Sequence, residues 1–163
     1  KVARHLGLPY PGGPQISKAS AKTSSSSFKF PRPMLNTNCY DFSFSGLKTH
    51  VTQSVKKNML TEELISNIAF DFENAILDVL ISKTLRAAID LNVDNIVISG
   101  GVSANKRLRE RFENEKRNKN IFFPDIAFST DNGAMIAYMG YLKYHKDIKS
   151  SLEINPNPSS RLV

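Results

Sequence analysis

The segment from Ile96 to Phe112 combines residue types that could bind a nucleotide. A run of β-branched residues leads into Gly100 and Gly101, and an amphipathic stretch follows at once. Paired glycines let the backbone turn sharply and leave the main chain open to a ligand. A helix that begins there points its free N–H groups and its positive end at the same place. Strand, glycine pair and helix therefore predict a cradle for a nucleotide or a phosphate, although a glycine turn can also serve packing alone.

Asp131 is the second residue that could do chemistry, because it stands in the segment STDN (129–132), which is predicted to open the last helix. Its carboxylate could bind a divalent metal ion, or it could interact only with the positive end of the helix. One carboxylate does not hold such an ion selectively. The chain has three histidines, His5, His50 and His145, and they are too far apart to match the spacing of metal ligands. The sequence contains no motif that pairs a serine or cysteine nucleophile with a histidine, which argues against a protease.

The elements that must position these residues alternate between helices and strands. A long helix is predicted from about Thr61 to Leu91, with Thr61 as its N-cap. The strand before the glycine pair is predicted at Asp94–Ser99, and a second, buried strand at Ile121–Phe123. The other predicted helices are the end of one at Lys1–Leu6, Gln15–Ala21, Gly46–Lys57 capped by Ser45, Ala104–Lys116, and one from 129–132 to about Lys143.

This alternation predicts an α/β fold with parallel strands. Two strands are too few for a stable open sheet, and a parallel pair needs cover on both faces. We therefore expect a helix-rich fold whose sheet is incomplete in this chain, and the alternative is an unusually helical fold. Residues 1–150 are expected to form a partial lobe, and residues 151–163 an irregular tail.

The composition indicates which class of binding partner and which cellular compartment to expect. At 163 residues the chain has the length of a single domain. Its formal net charge of +7 favours a polyanionic partner, above all nucleic acid, or a plain solvated basic surface. Cys39 is the single cysteine, which excludes an internal disulfide and suits a reducing compartment. No apolar run reaches membrane-spanning length and no signal peptide opens the chain, so we expect a cytoplasmic protein without a membrane partner.

Four segments carry a resemblance to a known family. They are YPGGPQIS (10–17), FPRP…DFSFSGLKT (30–49), SGGVSANKRLR (99–109) and STDNGAMIAY (129–138). Their order and spacing closely resemble the bacterial tRNA N6-adenosine threonylcarbamoyltransferases. The resemblance implies a C-terminal lobe of the two-lobed, actin-like fold that Hsp70 and sugar kinases share. It also implies transfer of a threonylcarbamoyl group from threonylcarbamoyl-adenylate to N6 of adenosine 37, in tRNAs that read codons beginning with A.

The resemblance also assigns roles to individual residues. Substrate binding falls to Gly13, Gly100, Gly101 and Asn105, although each could be purely structural. Asp131 matches a ligand of the family's divalent metal ion, usually taken as iron. Ser17 stands where some members carry an acidic residue, and as a weaker acceptor it is left out of the predicted site. No catalytic residue is assigned, because the family's reaction is implied to depend on positioning and electrostatics.

The matching motifs cover only the C-terminal portion of such an enzyme. The HxxxH pair that completes the family's metal site is absent from this sequence, as is its glycine-rich substrate-binding strand. We therefore expect the chain to be inactive alone and its metal site to be weak or empty. The implied partners are tRNA, an inactive paralogous subunit and a small ATPase. The alternatives are a non-catalytic lobe that binds a nucleotide or a partner and, less favoured, an actin-like ATPase or kinase or a metalloprotease.

A basic run around the helix after the glycine pair could contact tRNA phosphates. Acidic residues interrupt this run, so a solvated, salt-bridged helix face is the default interpretation. The run consists of Lys106, Arg107, Arg109, Arg111, Lys116, Arg117 and Lys119.

Overall fold

The computed structural model describes residues 1–24, 28–56, 59–151, 153 and 155. Its helices are α1 (Val2–His5), α2 (Gly12–Ser20), α3 (Ser45–Lys56), α4 (Glu62–Asp90), α5 (Lys106–Glu115) and α6 (Gly133–His145). Its strands are β1 (Asn95–Val97) and β2 (Asn120–Phe122), and 3-10 turns occupy Gly101–Ala104 and Ile126–Phe128. The described part of the chain is therefore a helix-rich α/β structure. The predicted end of α3 at Lys57 and most of the tail at 151–163 lie outside the described residues.

Helix α4 is the element around which the others pack, and its prediction is confirmed. Thr61 caps it, because its hydroxyl accepts from the backbone N–H of Leu64 at 3.2 Å. Its 29 residues include neither glycine nor proline, so nothing interrupts the backbone ladder. It ends where Asn92 takes a φ of +53°, a left-handed conformation that asparagine adopts more readily than most residues.

Two apolar clusters lie along α4. The first joins α1, α2 and α3 to the N-terminal half of α4 and includes Leu6, Leu47, Val51 and Ile68. The second joins the C-terminal half of α4 to α5 and consists of Leu77, Ile81, Leu108 and Phe112. Helix α4 is buried on several faces because it contributes to both clusters.

The sheet consists of β1 and β2 alone among the described residues, and they pair in parallel. Ile96 lies opposite Ile121, and Val97 lies opposite Phe122. One face packs partly against the second cluster, whereas Val97 and Phe122 on the other face are 73% and 52% exposed. The prediction that the second strand is buried was therefore wrong. A parallel pair covered by helices on one face leaves alternate side chains open to solvent.

Two boundaries near the predicted site also differ from expectation. No α-helix begins at the glycine pair: a 3-10 turn intervenes, and α5 begins at Lys106 instead of Ala104. The last helix begins at Gly133, after the STDN segment rather than within it. Helix α6 has no buried residue, and its exposed apolar side chains include Met135, Ile136, Tyr138, Met139, Tyr141 and Tyr144. No described helix has the length and apolar content needed to cross a membrane.

Candidate nucleotide-binding cleft

A cleft of about 650 Å³ opens between the start of α2 and the turn that leads into α5. This volume is typical of a small-molecule site. The cleft brings together three of the predicted substrate residues, Gly13, Gly101 and Asn105. The remaining lining residues are Pro14, Ser17, Val102, Ala104 and Lys106. Segments far apart in the sequence therefore meet where the nucleotide cradle was predicted.

The glycines around this cleft have different structural roles. Gly100 has a φ of +88°, so its backbone conformation itself favours glycine. Gly12 packs against α1, because a β-carbon there would lie 2.7 Å from the Cβ of Ala3. A β-carbon on Gly13 would meet nothing within 4 Å, and one on Gly101 would make only an ordinary contact with Thr130. The fold itself therefore favours glycine at Gly100 and Gly12. At Gly13 and Gly101 it does not, and the backbone there is open enough for a ligand to approach closely.

Asn105 is the N-cap of α5. Its Oδ1 accepts from the backbone N–H of Leu108 at 2.8 Å, which is the ordinary capping bond at the start of a helix. Its Nδ2 donates to Ser17 Oγ at 3.0 Å and to Glu73 Oε1 at 2.7 Å. The amide therefore lines the cleft, but both of its N–H donors are already engaged within the protein. The predicted helix start at Ala104 would have placed Asn105 inside the first turn, and this was wrong, because α5 begins at Lys106.

Glu73 is the residue that sequence reasoning missed. It lies on α4 behind the cleft with a side chain only 5% exposed, and it accepts hydrogen bonds from Ser17, Ser20, Asn105 and Arg107. Burial raises the pKa of Glu73, but these four hydrogen bonds outweigh that effect and hold the pKa below its ordinary value. The available signal was an acidic residue within the apolar stretch of a long helix, which is costly unless it is paired.

The basic run is salt-bridged, as expected, and two of its arginines pair with α4 rather than along a solvated face. Arg107 pairs with Glu73 at 2.9 Å and lies over the ring of Phe70. Arg111 pairs with Asp78 on α4 at 2.7 Å. Lys106 remains 88% exposed at the edge of the cleft, where it can reach a phosphate. These two arginines therefore hold α5 against α4, and among the described residues that line the cleft Lys106 is the one with a charge that could meet an anion.

Asp131 is exposed and lies outside α6. Asn132 is the cap of that helix, because its Oδ1 accepts from the backbone N–H of Met135 at 3.0 Å. The interpretation of Asp131 as a first-turn residue was therefore wrong. Its neighbour Thr130 lies beside Gly101, which brings the STDN segment close to the glycine pair. Among the described residues no three of His, Cys, Asp or Glu form a group that could hold a metal ion. The donor set in this part of the chain does not fit such a group by itself.

Comparison with known proteins identifies the family. The family model for tRNA N6-adenosine threonylcarbamoyltransferase matches residues 1–138 of the chain. The chain belongs to this family. The curated protein of that name from Thermosipho africanus is 48% identical, over 96% of this chain and 49% of the relative. Those from Sulfurihydrogenibium sp. and Buchnera aphidicola subsp. Baizongia pistaciae are 45% and 42% identical, over 99% and 100% of this chain.

The resemblance carried by the four segments is thus confirmed. The chain spans about half the length of the curated threonylcarbamoyltransferases that it matches. Within it, residues of segments 10–17 and 99–109 line the cleft, and Thr130 of segment 129–138 lies beside Gly101. Segment 30–49 is held against α4, where Arg32 pairs with Asp78 at 2.8 Å. The motifs that carry the threonylcarbamoyltransferase resemblance therefore converge on α4 and on the cleft.

Proposed function

We propose that this chain supplies the adenosine-binding side of a tRNA N6-adenosine threonylcarbamoyltransferase. The enzyme would transfer a threonylcarbamoyl group from threonylcarbamoyl-adenylate to N6 of adenosine 37, in tRNAs that read codons beginning with A. The observation that carries this proposal is the meeting of Gly13, Gly101 and Asn105 in one cleft. The lobe would be the C-terminal one of an actin-like fold, and the proposed tRNA substrate implies a cytoplasmic location.

The cleft has features that suit an adenylate. Gly13 and Gly101 leave the main chain open on both sides, so an adenosine can lie against the backbone. The N-terminal end of α5 begins at the cleft, and its dipole favours an anionic group there. The exposed Lys106, whose ammonium lies 3.7 Å from the carboxylate of Glu110, adds a positive charge. In the proposed reaction the N6 amine attacks the carbonyl carbon, the bond from that carbon to the phosphate oxygen breaks, and AMP leaves. Holding the adenylate in place is the contribution that this chain makes.

Substituting Gly13 by alanine tests the adenosine-binding role. The added methyl group meets nothing within 4 Å in the protein, and alanine favours the helix more than glycine does. We expect the stability of the complete gene product to be unchanged or slightly higher. Its affinity for AMP, measured by calorimetry, should fall by roughly tenfold or more if a ligand lies against this glycine.

Gly140→Ala is the matched control. Gly140 is also helical with nothing within 4 Å, but it lies on α6 and not among the residues that line the cleft. This variant should gain similar stability and bind AMP as the wild type does. Equal AMP affinity in the wild type and Gly13→Ala would rule out the proposed binding mode.

The activity itself is tested by the modified nucleoside. Complete gene product, together with the paralogous subunit, the small ATPase, tRNA and threonylcarbamoyl-adenylate, should yield threonylcarbamoyladenosine in nucleoside digests analysed by mass spectrometry. The 163-residue chain without any added protein should not. Modification by this chain alone would contradict the proposal that it is only one side of the site.

We infer that Asp131 supplies one ligand of a divalent metal ion, with iron as the expected element, and that the remaining ligands lie outside the described residues. Asp131→Asn in the complete gene product should then lower the metal content, measured by elemental analysis, without changing the AMP affinity. An unchanged metal content would exclude Asp131 as a ligand.

The proposed protein partners are an inactive paralogous subunit and a small ATPase. Their co-purification with the complete gene product tests this proposal.

A non-catalytic nucleotide-binding lobe is the second candidate. None of the described residues that line the cleft carries a carboxylate, a thiol or an imidazole. Such a surface could bind an adenylate without any reaction. This candidate predicts AMP binding by the complete gene product, but no tRNA modification even when both partner subunits are present.

A further inference from the structure

A second cavity, the turn cavity, lies beside the turn that bears Gly13. It has a volume of about 440 Å³, and its lining residues include Arg4 of α1, Tyr10 and Gly12. Gly12 and Gly13 are consecutive, yet Gly12 lines the turn cavity and Gly13 lines the nucleotide-binding cleft. Consecutive Cα atoms lie about 3.8 Å apart, so the two cavities are close neighbours. They share no described lining residue, and the turn cavity is therefore a separate feature.

Tyr10 presents an aromatic ring to solvent at this cavity. The residue is 95% exposed, and its side chain forms no hydrogen bond or ring contact with the other described residues. Pro9 and Pro11 flank it and restrict its backbone. This restriction lowers the entropy that is lost when a ligand orders the ring. The face of an exposed tyrosine is a surface on which an unpaired nucleobase can stack.

The charge of this part of the chain favours a polyanionic ligand. Residues 1–40 contain six lysines and arginines but no aspartate or glutamate, so they supply six of the seven units of formal net charge. Lys22 and Arg32 are paired with carboxylates of α4. The side chain of Arg4 is exposed and forms no hydrogen bond or ion pair with any described residue. Arg4 is thus a cation on the wall of the turn cavity that can meet a phosphate.

We propose that the turn cavity binds single-stranded RNA, with an unpaired base stacked on Tyr10 and a phosphate held by Arg4. The proposal rests on the proposed function, in which a tRNA is the second substrate beside the adenylate. Adenosine 37 adjoins the anticodon and so belongs to an unpaired loop. Transfer requires this loop and the adenylate to lie side by side, as the two cavities do at the turn.

Tyr10→Ala tests the stacking contact. The affinity of the complete gene product for a fluorescently labelled anticodon stem–loop RNA, measured by anisotropy, should fall roughly fivefold or more when the ring is lost. Tyr10→Phe keeps the ring and should stay within about twofold of the wild type. A fully paired RNA of the same length should bind the wild type and Tyr10→Ala with equal affinity, because its bases are stacked inside the duplex and cannot reach the ring.

Tyr144→Ala is the matched control for the loss of an exposed ring. Tyr144 is 79% exposed, but it lies on α6 and is not among the described residues that line either cavity. This variant should bind the stem–loop as the wild type does. An unchanged affinity in Tyr10→Ala, or an equal loss in Tyr144→Ala, would overturn the proposal.

Arg4→Gln tests the phosphate contact through its dependence on salt. Each phosphate contact with a single strand adds about 0.7 to the slope of log affinity against log salt concentration. Arg4→Gln should lower the slope by about that amount. Arg117→Gln, which removes an exposed arginine outside both cavities, should leave the slope unchanged, and so should Tyr10→Ala. A slope that does not change in Arg4→Gln would refute the contact with a phosphate.

AMP binding separates this proposal from the proposed adenosine site. Neither Tyr10 nor Arg4 lines the cleft, so both variants should bind AMP with the wild-type affinity in calorimetry. A wild type that binds AMP but not the stem–loop would refute the RNA site alone. A wild type that binds the stem–loop with the expected dependence on Tyr10, but binds no AMP, would support the RNA site and refute the adenosine site.

Discussion

Arg109 should be the side chain whose loss most disturbs the relation between the glycine turn and the STDN segment. Its Nε donates to the carbonyl of Ser103 at 2.6 Å, inside the turn that begins at Gly101. A terminal nitrogen donates to the carbonyl of Pro124 at 2.8 Å and, more weakly, to Ser129 Oγ at 3.3 Å. The guanidinium also lies 4.8 Å from the ring centre of Phe123. One side chain thus joins the turn, the end of β2 and the residue that opens the STDN segment.

The magnitude follows from these contacts. Each of the two short bonds comes from a charged donor on a half-buried side chain, which places each near the low end of the range, at about 1.5 kcal/mol. The contact with Phe123 adds about 0.5 kcal/mol. Arg109→Ala should therefore lower the free energy of unfolding by about 3.5 kcal/mol, a large part of the stability of an ordinary domain.

Urea unfolding of the purified protein, followed by far-ultraviolet circular dichroism, measures this loss, because the chain is helical and contains no tryptophan. Arg109→Lys keeps the charge but not the fork of donors, so it should fall between the wild type and the alanine variant. Arg117→Ala is the control, since the described residues show no hydrogen bond or ion pair for Arg117. A loss below about 1 kcal/mol in Arg109→Ala, or one no larger than that of Arg117→Ala, would refute the reasoning.

Three further predictions concern stability. Thr61→Ala removes the cap of α4 and should cost about 1 kcal/mol in urea unfolding, with Thr61→Ser restoring most of it. Leu47→Ala empties a fully buried position between α3 and α4 and should cost about 3 kcal/mol, whereas a loss below that of Thr61→Ala would contradict the assigned core. Because the pKa of Glu73 is lowered in the folded chain, its carboxylate stabilises the fold above the ordinary glutamate value of 4.5. That stabilisation should be lost as the pH falls below 4.5 towards the folded pKa, and unfolding of Glu73→Gln measured across this range should show a shallower dependence.

Much of the local structure was predictable from the sequence. The cap at Thr61, the uninterrupted helix after it and the strand before the glycine pair all depend on residues within a few positions of one another. The family was also predictable, because the four motifs and their order can be read from the sequence without a structure. The boundaries near the glycine pair were less predictable, since the choice between a 3-10 turn and an α-helix at Gly101–Ala104 involves a bond from α5 to Ser103.

Only the tertiary structure determined which residues form hydrogen bonds with one another at the cleft. Ser17 and Asn105 are 88 residues apart, and both meet Glu73 only because α2 and α5 pack against the same helix. A buried carboxylate must find partners wherever the packing brings them, so its role cannot be derived from its neighbours in sequence. The sequence by itself determined the helices, the glycine turn and the family, because local sterics and motif order govern them. The tertiary structure decided that Asp131 lies outside its helix, that Asn105 is engaged at both ends, and that Glu73 accepts hydrogen bonds from both α2 and α5, because each depends on contacts that only packing creates.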